Sequence, residues 1–223
     1  MRRKTSRGGA AIEFAFSTLV LVPLWLGTTV IGINLTRGLE TVQLARDAGH
    51  MYARGVDFSK PGNQTILQTL GSDLGLSTTA GSGSAVVVLS TVTYVDQPTC
   101  ASVGAVDSHG NPSGCTNYQQ WVFTQRLVIG NTSVHSSNYG SPLTSGPTGV
   151  TVDPGTGMIS PQDYVTKAGA VATFSGINPY ANVNGSVSGL PSGQVIYVAE
   201  AAALGFNMVP YASNSTTYSY GLF

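Results

Sequence analysis

The chain has 223 residues, of which only 9% are charged, and its formal net charge at pH 7 is zero. An ordinary soluble domain has roughly 25% charged residues, so this composition, which is rich in Gly, Ser, Thr and Asn, favours an exported, loop-rich β structure over a cytosolic enzyme. Four of the basic residues lie in the first eight positions, and the remainder carries six basic and ten acidic residues. The folded part therefore has no basic face of the kind that binds nucleic acid, and we expect no nucleic-acid partner.

The first predicted element is an apolar segment that follows the basic N-terminus. Residues 14–36 read FAFSTLVLVPLWLGTTVIGINLT, which is 23 residues without a charge. A helix of that length spans roughly 30 Å of hydrocarbon. A cleavable secretory signal is the alternative, but its apolar core is usually about 7–15 residues long and ends in an A-x-A-like site. This run is longer and no such site follows it, and the four basic residues before it predict a cytoplasmic N-terminus.

Two residues of this segment are unusual for an apolar helix. Pro23 lies in mid-span, where it removes a backbone hydrogen bond and is predicted to kink the helix. Glu13 lies at the start of the apolar run, where a carboxylate is costly although less so than at the bilayer centre. One interpretation is that Glu13 only complements the positive end of its own helix dipole.

A second interpretation of Glu13 comes from the residues before it. Residues 6–14 read SRGGAAIEF, in which a basic leader and a Gly precede four small or apolar residues and then Glu-Phe. This pattern resembles the prepilin-peptidase site of type IV pilin-like proteins. The resemblance implies a cut between Gly8 and Gly9, which makes Glu13 the fifth mature residue and Phe14 the sixth. The Glu13 carboxylate of one subunit can then pair with the new amino terminus of a neighbour and set the axial register of packed helices.

The apolar helix is predicted to continue beyond the membrane. Residues 37–54 read RGLETVQLARDAGHMYAR, and their apolar side chains recur at helical spacing while polar ones fall on another face. Gly55 is a suitable C-cap. A helix over residues 10–54 would be about 68 Å long, and its outer half would lay an apolar stripe on the chain's own sheet.

The segment 42–55, VQLARDAGHMYARG, resembles the post-membrane helix of TadE-like proteins, the minor pilin or pseudopilin components of Flp/Tad pilus systems. That family shares an RG-AA-EF start, an apolar run with Pro, and an Ala-Arg-acidic-Ala/Gly stretch; a short aromatic C-terminal strand also occurs in it. The resemblance covers about residues 6–55, a quarter of the chain. The matching residues are Arg7, Gly8, Glu13, Phe14, Pro23, Ala45, Arg46, Asp47, Ala48 and Gly49.

The remaining part of the chain reads as a β-rich domain. Residues 85–95, 120–129 and 194–201 are predicted strands because they are rich in β-branched and aromatic residues, and 217–223 is a predicted edge strand. In the second of these, the residues expected to share one face are Trp121, Phe123, Gln125, Leu127 and Ile129. The spacers, notably 137–163 and 175–193, are predicted loops.

The two cysteines, Cys100 and Cys115, enclose a polar, glycine-containing stretch. In an exported domain such a pair is expected to form a disulfide. A zinc site is the alternative, but it needs three or four ligands, and the nearest further candidate is His109.

No catalytic or cofactor-binding pattern emerges from the sequence. His50 lies on the polar face of the predicted helix, and His109 and His135 lie in loop-like contexts. Asp107 is near His109, but no nucleophile motif accompanies them. We find no phosphate-binding loop, dinucleotide fingerprint or metal-binding pattern, and we therefore expect no enzymatic activity, no cofactor, no metal and no small-molecule substrate.

The predicted fold class is α+β, with a long N-terminal transmembrane helix that continues outward and packs on a small antiparallel sheet with long loops. The expected organisation is a cytoplasmic leader (1–8), a transmembrane helix (9–36), its extracytoplasmic continuation (37–54) and a β-rich domain (55–223).

The resemblance implies a TadE-like minor pilin or pseudopilin of a Flp/Tad pilus or secretion apparatus. It would be a single-pass protein of the bacterial inner membrane with its C-terminal domain outside. Its partners would be the membrane, prepilin peptidase and other pilin or Tad assembly subunits. The alternatives are a membrane-tethered binding module and a signal-anchored secreted enzyme.

Overall fold

A computed structural model describes residues 7–174, 180–183, 186–189, 192–212 and 215–223. A 47-residue helix comes first, a four-stranded sheet follows it, and short helices lie in the connections. The helices are α1 (Arg7–Ala53), α2 (Pro61–Leu70), α3 (Gln97–Ser102) and α4 (Pro161–Thr166), and the strands are β1 (Ala85–Tyr94), β2 (Trp121–Gly130), β3 (Tyr180–Val183), β4 (Ser186–Gly189), β5 (Val195–Leu204) and β6 (Thr216–Leu222).

The main sheet has the order β2-β1-β5-β6, and all its strands are antiparallel. Strands β3 and β4 form a separate hairpin. The predicted α+β class, with a long apolar N-terminal helix and a small antiparallel sheet, is confirmed. The four main strands lie within one or a few residues of the predicted ranges, and β6 is an edge strand as predicted.

The two central strands have compositions that suit their positions. Strand β1 is buried along nearly its whole length, and its β-branched side chains fit a strand that is covered on both faces. Strand β5 is rich in alanine, and Ala199, Ala201 and Ala203 all belong to the core cluster that α1 also enters. Small side chains at these alternate positions allow the helix backbone to approach the sheet closely.

The prediction that five residues of β2 share one face is wrong. The pairing of β2 with β1 shifts register, so that Gln125 lies opposite Thr91 while Phe123 lies opposite Val92. The extra residue, Thr124, forms a β-bulge, which reverses the faces on its two sides. As a result Trp121 and Phe123 lie on one face of the sheet, and Gln125, Leu127 and Ile129 lie on the other.

Helix α1 crosses both predicted helical segments, 9–36 and 37–54, without interruption. It ends at Ala53, and Gly55 follows with a φ of 85°, a left-handed conformation that suits a helix terminator. Its outer half contributes Leu44, Ala45, Ala48 and Tyr52 to the core, which confirms that it packs on the sheet.

Several short helices and strands lie in predicted loops or in segments for which we predicted no helix or strand. Helix α2 follows α1, with Pro61 in its first turn and Leu67 buried. The predicted loop 137–163 is largely irregular, although α4 begins within it at Pro161. The predicted loop 175–193 contains β3 and β4, so that prediction is wrong for these strands; residues 175–179, 184–185 and 190–191 lie outside the described residues.

A second core cluster surrounds the cysteine pair. Cys100 in α3 and Cys115 form a disulfide, as predicted, and both are buried among apolar side chains. The carboxylate of Asp96 caps α3 by accepting a hydrogen bond from the Thr99 amide at 2.9 Å. Because the two sulfur atoms are bonded to each other, they are not available as the thiolate ligands of a zinc site.

Loss of this disulfide is expected to lower the free energy of unfolding by about 3 kcal/mol, because the bond constrains the unfolded chain. The measurement is urea unfolding in detergent of the wild type and of Cys100→Ser/Cys115→Ser. A reducing agent should destabilise the wild type by a similar amount and leave the double variant unchanged. Two free thiols in unreduced, denatured wild type would contradict the bond.

Candidate functional site: the exposed helix and its junction with the sheet

The residues of the predicted processing site lie on the first two turns of α1. Gly8 and Gly9 follow the first helical residue, Arg7, while Glu13 and Phe14 lie one turn further on, and the Phe14 side chain is 74% exposed. Glu13 is also exposed. Gly9 and Glu13 are four residues apart, so they lie on the same helix face. A carboxylate is thus placed one turn from the position at which the predicted cleavage would create an ammonium group.

The N-terminal half of α1 is apolar and uncovered by the described part of the chain. Helix α1 is the one helix among the described residues that is long and apolar enough to cross a membrane, and only 6% of its most apolar 18-residue stretch is buried. By length and composition it fits a membrane anchor, and a signal sequence would meet the same criterion. The large exposed apolar residues of this half are Ile12, Phe14, Phe16, Leu19, Val20, Leu21, Val22, Leu24, Trp25, Ile31 and Ile33.

Three hydroxyl groups of this half form hydrogen bonds within the helix. The hydroxyls of Thr18, Thr28 and Thr29 donate to carbonyl oxygens one turn earlier, at 2.8–3.1 Å. Such bonds hide hydroxyl groups from an apolar solvent. Pro23 lies inside the helix, where it has no N–H to donate to the carbonyl of Leu19. The predicted kink at Pro23 stays a prediction.

Polar side chains fix the middle of α1 to the end of β5 and the start of β6. The side-chain oxygen of Asn34 accepts a hydrogen bond from the backbone N–H of Phe206 at 2.7 Å, and the side-chain nitrogen donates to the Phe206 carbonyl oxygen at 3.3 Å. Arg37 donates to the carbonyl oxygen of Leu204 at 2.6 Å. The loop after β5 reaches further toward the N-terminus of the helix, where Val30 is buried and Tyr211 lies beside Gly27, so the domain begins near Gly27.

Further along α1, a glycine allows an aromatic ring to touch the helix backbone. The ring of Phe223 packs directly on Gly49, where an added Cβ would overlap the ring atoms. The same ring lies edge-on to His50, with centroids 4.7 Å apart. The residue after β6 is therefore held against the helix, and His50 has a packing role in addition to its exposed position.

The opposite face of the sheet carries a buried carboxylate, Glu200, which is only 2% exposed. Its oxygen atoms accept hydrogen bonds from the Ser137 hydroxyl at 2.5 Å, the Asn138 amide at 3.0 Å and the Tyr218 hydroxyl at 2.8 Å. All three donors belong to this chain, so the carboxylate ties the loop after β2 to strands β5 and β6.

Arg126 of β2 lies beside this carboxylate. Its guanidinium donates to Ser90 at 3.1 Å and to Ser137 at 3.4 Å, so the Ser137 hydroxyl bridges Arg126 and Glu200. Burial lowers the pKa of Arg126, and the nearby Glu200 carboxylate opposes that effect. Burial and then the hydrogen bond to Glu200 raise the pKa of Tyr218 well above its ordinary value, so Tyr218 remains a hydrogen-bond donor.

An uncharged, aromatic cleft of about 370 Å³ lies next to the Glu200 cluster. Tyr139 and Phe174 are stacked in its wall, with ring centroids 4.5 Å apart. Burial raises the pKa of Tyr139 to about 12, so its phenol is neutral at physiological pH. The cleft is lined by Asn138, Tyr139, Thr173, Phe174, Tyr218, Tyr220 and Leu222.

The other residues considered from the sequence do not converge. His135 lies against Tyr218, with ring centroids 4.4 Å apart, whereas His109 donates its backbone N–H to Asp107 in the loop closed by the disulfide. Within the described residues, no group of three or more His, Cys, Asp or Glu side chains is placed to hold a metal ion.

Sequence reasoning missed the Glu200 cluster and the aromatic cleft. One signal was present, since Glu200 is an acid inside the otherwise apolar stretch VIYVAEAAAL, where a carboxylate needs buried partners. Comparison with protein-family models, with curated proteins and with solved structures returns no match for this chain.

A side chain at position 49 is expected to destabilise the contact between α1 and the residue after β6, because the Phe223 ring lies directly on Gly49. Gly49→Ala should lower the free energy of unfolding by about 1–3 kcal/mol, because the new methyl group displaces the Phe223 ring. The control Gly32→Ala adds a methyl group with no atom within 4 Å, and it should leave stability unchanged or raise it by up to about 1 kcal/mol.

Calorimetry of both variants in detergent measures these effects. In a Phe223→Ala background, Gly49→Ala should no longer be destabilising, since the overlapping ring is gone. An equal cost of Gly49→Ala in both backgrounds would show that the contact with Phe223 does not matter.

Proposed function

We propose that this protein is a membrane-anchored, TadE-like minor pilin or pseudopilin that takes part in assembling a Flp/Tad pilus or secretion apparatus. One observation carries the proposal. A single helix has an apolar, uncovered first half that begins at Glu13 and a second half that is fixed to a folded domain. An assembly subunit needs both parts, one to pack among other helices and one to be displayed outside the membrane.

The geometry of the helix supports a single-pass anchor in the inner membrane with a cytoplasmic N-terminus. From Arg7 to Gly27, where Tyr211 of the domain lies beside the helix, the helix rises about 30 Å at 1.5 Å per residue, which matches the roughly 30 Å thickness of a hydrocarbon core. The basic leader precedes this segment and the domain follows it, so the positive-inside rule favours a domain in the periplasm or outside the cell.

The rigid junction also supports a role in assembly. Helix α1 continues from the apolar half into the domain core, and hydrogen bonds from Asn34 and Arg37 hold the domain just beyond the point where it begins. A force applied to the membrane segment therefore moves the whole domain. This suits a subunit that is lifted out of the bilayer, and a flexibly tethered module would not need it.

A membrane-tethered binding module is the second candidate, and the aromatic cleft favours it. That function needs no processing at Gly8, because the anchor would stay in the bilayer. Processing therefore distinguishes the two functions.

Processing is expected between Gly8 and Gly9 in a strain with active prepilin peptidase. Mass spectrometry of the mature protein should find Gly9 as the N-terminal residue. Gly8→Val should block the cut, because the peptidase must accommodate a small residue there. The matched control Gly9→Ala should still be cut, and an added methyl group at Gly9 meets no neighbouring atom within 4 Å. A mature chain that still begins at Met1 would exclude the pilin function.

Glu13 is expected to be dispensable for membrane insertion and necessary for assembly. Removing its charge makes insertion easier, but it leaves the ammonium group of a neighbour's Gly9 without its partner in an apolar environment. An unpaired buried charge costs several kcal/mol, so Glu13→Ala and Glu13→Gln should each lower incorporation at least tenfold, since a factor of ten corresponds to about 1.4 kcal/mol.

The measurement is the ratio of pilus-associated to membrane-resident subunit. Glu40→Gln removes a carboxylate from the same helix beyond the apolar half, and it should leave the ratio unchanged. A pair between Glu13 and Gly9 of one chain would exist in both locations and would not alter the ratio. Equal ratios for wild type, Glu13→Ala and Glu13→Gln would show that the charge has no role between subunits.

A further inference from the structure

The two edges of the main sheet are treated differently by the chain. Strand β2 forms one edge, and later segments cover it with backbone hydrogen bonds. The Arg126 amide donates to the Gly157 carbonyl at 2.8 Å, and the amide of Ala172 donates to the Trp121 carbonyl at 2.8 Å. The Ile159 amide donates to Thr124 at 2.9 Å. This edge is therefore protected against pairing with another chain.

Strand β6 forms the other edge, and its outward backbone groups have no partner among the described residues. Phe223 and Tyr197 exchange two backbone hydrogen bonds, and the Gly205 amide donates to Ser215. In an antiparallel ladder this pattern turns the odd-numbered residues of β6 toward β5 and the even-numbered residues outward. The N–H and C=O groups of Thr216, Tyr218, Tyr220 and Leu222 therefore point away from the sheet.

The edge also lacks the features that usually prevent strand addition. Its sequence, TTYSYGL, contains no charged residue and no proline, and both are common protective devices on exposed edges. Its seven residues present an edge about 23 Å long. Tyr220 is 56% exposed and Leu222 is 39% exposed, so the strand is accessible to another molecule.

The aromatic cleft lies along the same strand. The side chains of Tyr218, Tyr220 and Leu222 line it, and these are the residues whose backbone groups point outward. In an antiparallel pair, residues that exchange hydrogen bonds place their side chains on the same face of the sheet. If another strand pairs with β6, those of its residues that form hydrogen bonds with β6 will therefore have their side chains on the cleft side of the sheet.

We propose that β6 is a docking edge for an extended, uncharged polypeptide segment of another molecule, which adds as a fifth strand and places an apolar or aromatic side chain in the cleft. Backbone hydrogen bonds would supply affinity, and the cleft would supply specificity. The cleft lining contains no charged residue, so a charged side chain would lose its hydration there without gaining a partner.

The chemistry of the site favours a peptide over a sugar. The Glu200 carboxylate lies behind the cleft wall, and both of its oxygen atoms already accept hydrogen bonds from Ser137, Asn138 and Tyr218. It is therefore not available to sugar hydroxyls. The unused hydrogen-bonding groups lie instead on the backbone of β6, at the two-residue spacing that matches another strand.

The test uses the full chain in detergent micelles and a labelled synthetic peptide, acetyl-Thr-Val-Thr-Phe-Thr-Val-Thr-amide, with binding followed by fluorescence anisotropy. Two N-methylated versions separate backbone pairing from apolar contact. Methyl groups on the amides of Val and Phe block the bonds to β6 and should weaken binding at least tenfold. Methyl groups on the inner Thr amides point away from β6 and should leave binding unchanged.

Protein variants test the same site from the other side. Tyr220→Ala should weaken binding at least fivefold, whereas Tyr220→Phe should bind like the wild type because the ring remains. Thr216→Pro removes one outward N–H and should also weaken binding. If Thr216→Pro fails to fold, the pair of methylated peptides decides the question on the wild-type protein.

Three results would overturn the proposal. The first is equal binding of the two methylated peptides, since the contact would then not involve the backbone of β6. The second is no binding tighter than about 1 mM. The third is self-association of the protein through β6 that excludes the peptide, which would assign the edge to a second copy of the chain.

Discussion

Helix α1 packs closely against the strands β5 and β6, and this contact holds the helix, the sheet and the C-terminal residue together. The helix presents small residues to the sheet, including Gly38, Ala45 and Gly49, and β5 has alanines at alternate positions on the face that packs against the helix. Close approach of the two backbones brings β6 and the following Phe223 against the helix. Larger side chains on either side would separate the layers and open the core.

This contact joins the apolar first half of α1 rigidly to the folded domain, although the two parts are stable in different solvents. The first half of α1 exposes apolar side chains that are stable in hydrocarbon, while the second half is covered by the sheet and belongs to a domain of low charge. Because the same helix runs through both, neither part can rotate independently. The boundary between them lies near Gly27 and Val30, and the hydrogen bonds of Asn34 and Arg37 with the end of β5 hold the domain just beyond it.

The sequence predicts the elements whose stability is local and misses the features set by distant partners. The helix and the four main strands follow from apolar periodicity and β-branched runs. The bulge at Thr124 was missed because alternation assumes one residue per position, and an inserted residue is visible only in the pairing with β1. The partners of Glu200 were missed because Ser137 lies 63 residues away, and no local pattern connects them. The disulfide was predicted because the composition favours an exported domain, in which two cysteines are expected to be oxidised.

Glu200 and Arg126 are the only charged residues in the six strands of the described part of the chain, and they lie on the same face of the sheet. Arg126 is half-buried, and it reaches Glu200 through the Ser137 hydroxyl, which accepts a hydrogen bond from the guanidinium and donates one to the carboxylate. The Glu200 carboxylate fixes the position of the groups around it through three hydrogen bonds. It holds the loop that contains Ser137 and Asn138, and it orients the hydroxyl of Tyr218 on β6. Asn138 and Tyr218 line the cleft beside the open edge of β6. The polar cluster thus shapes the face of the sheet opposite α1.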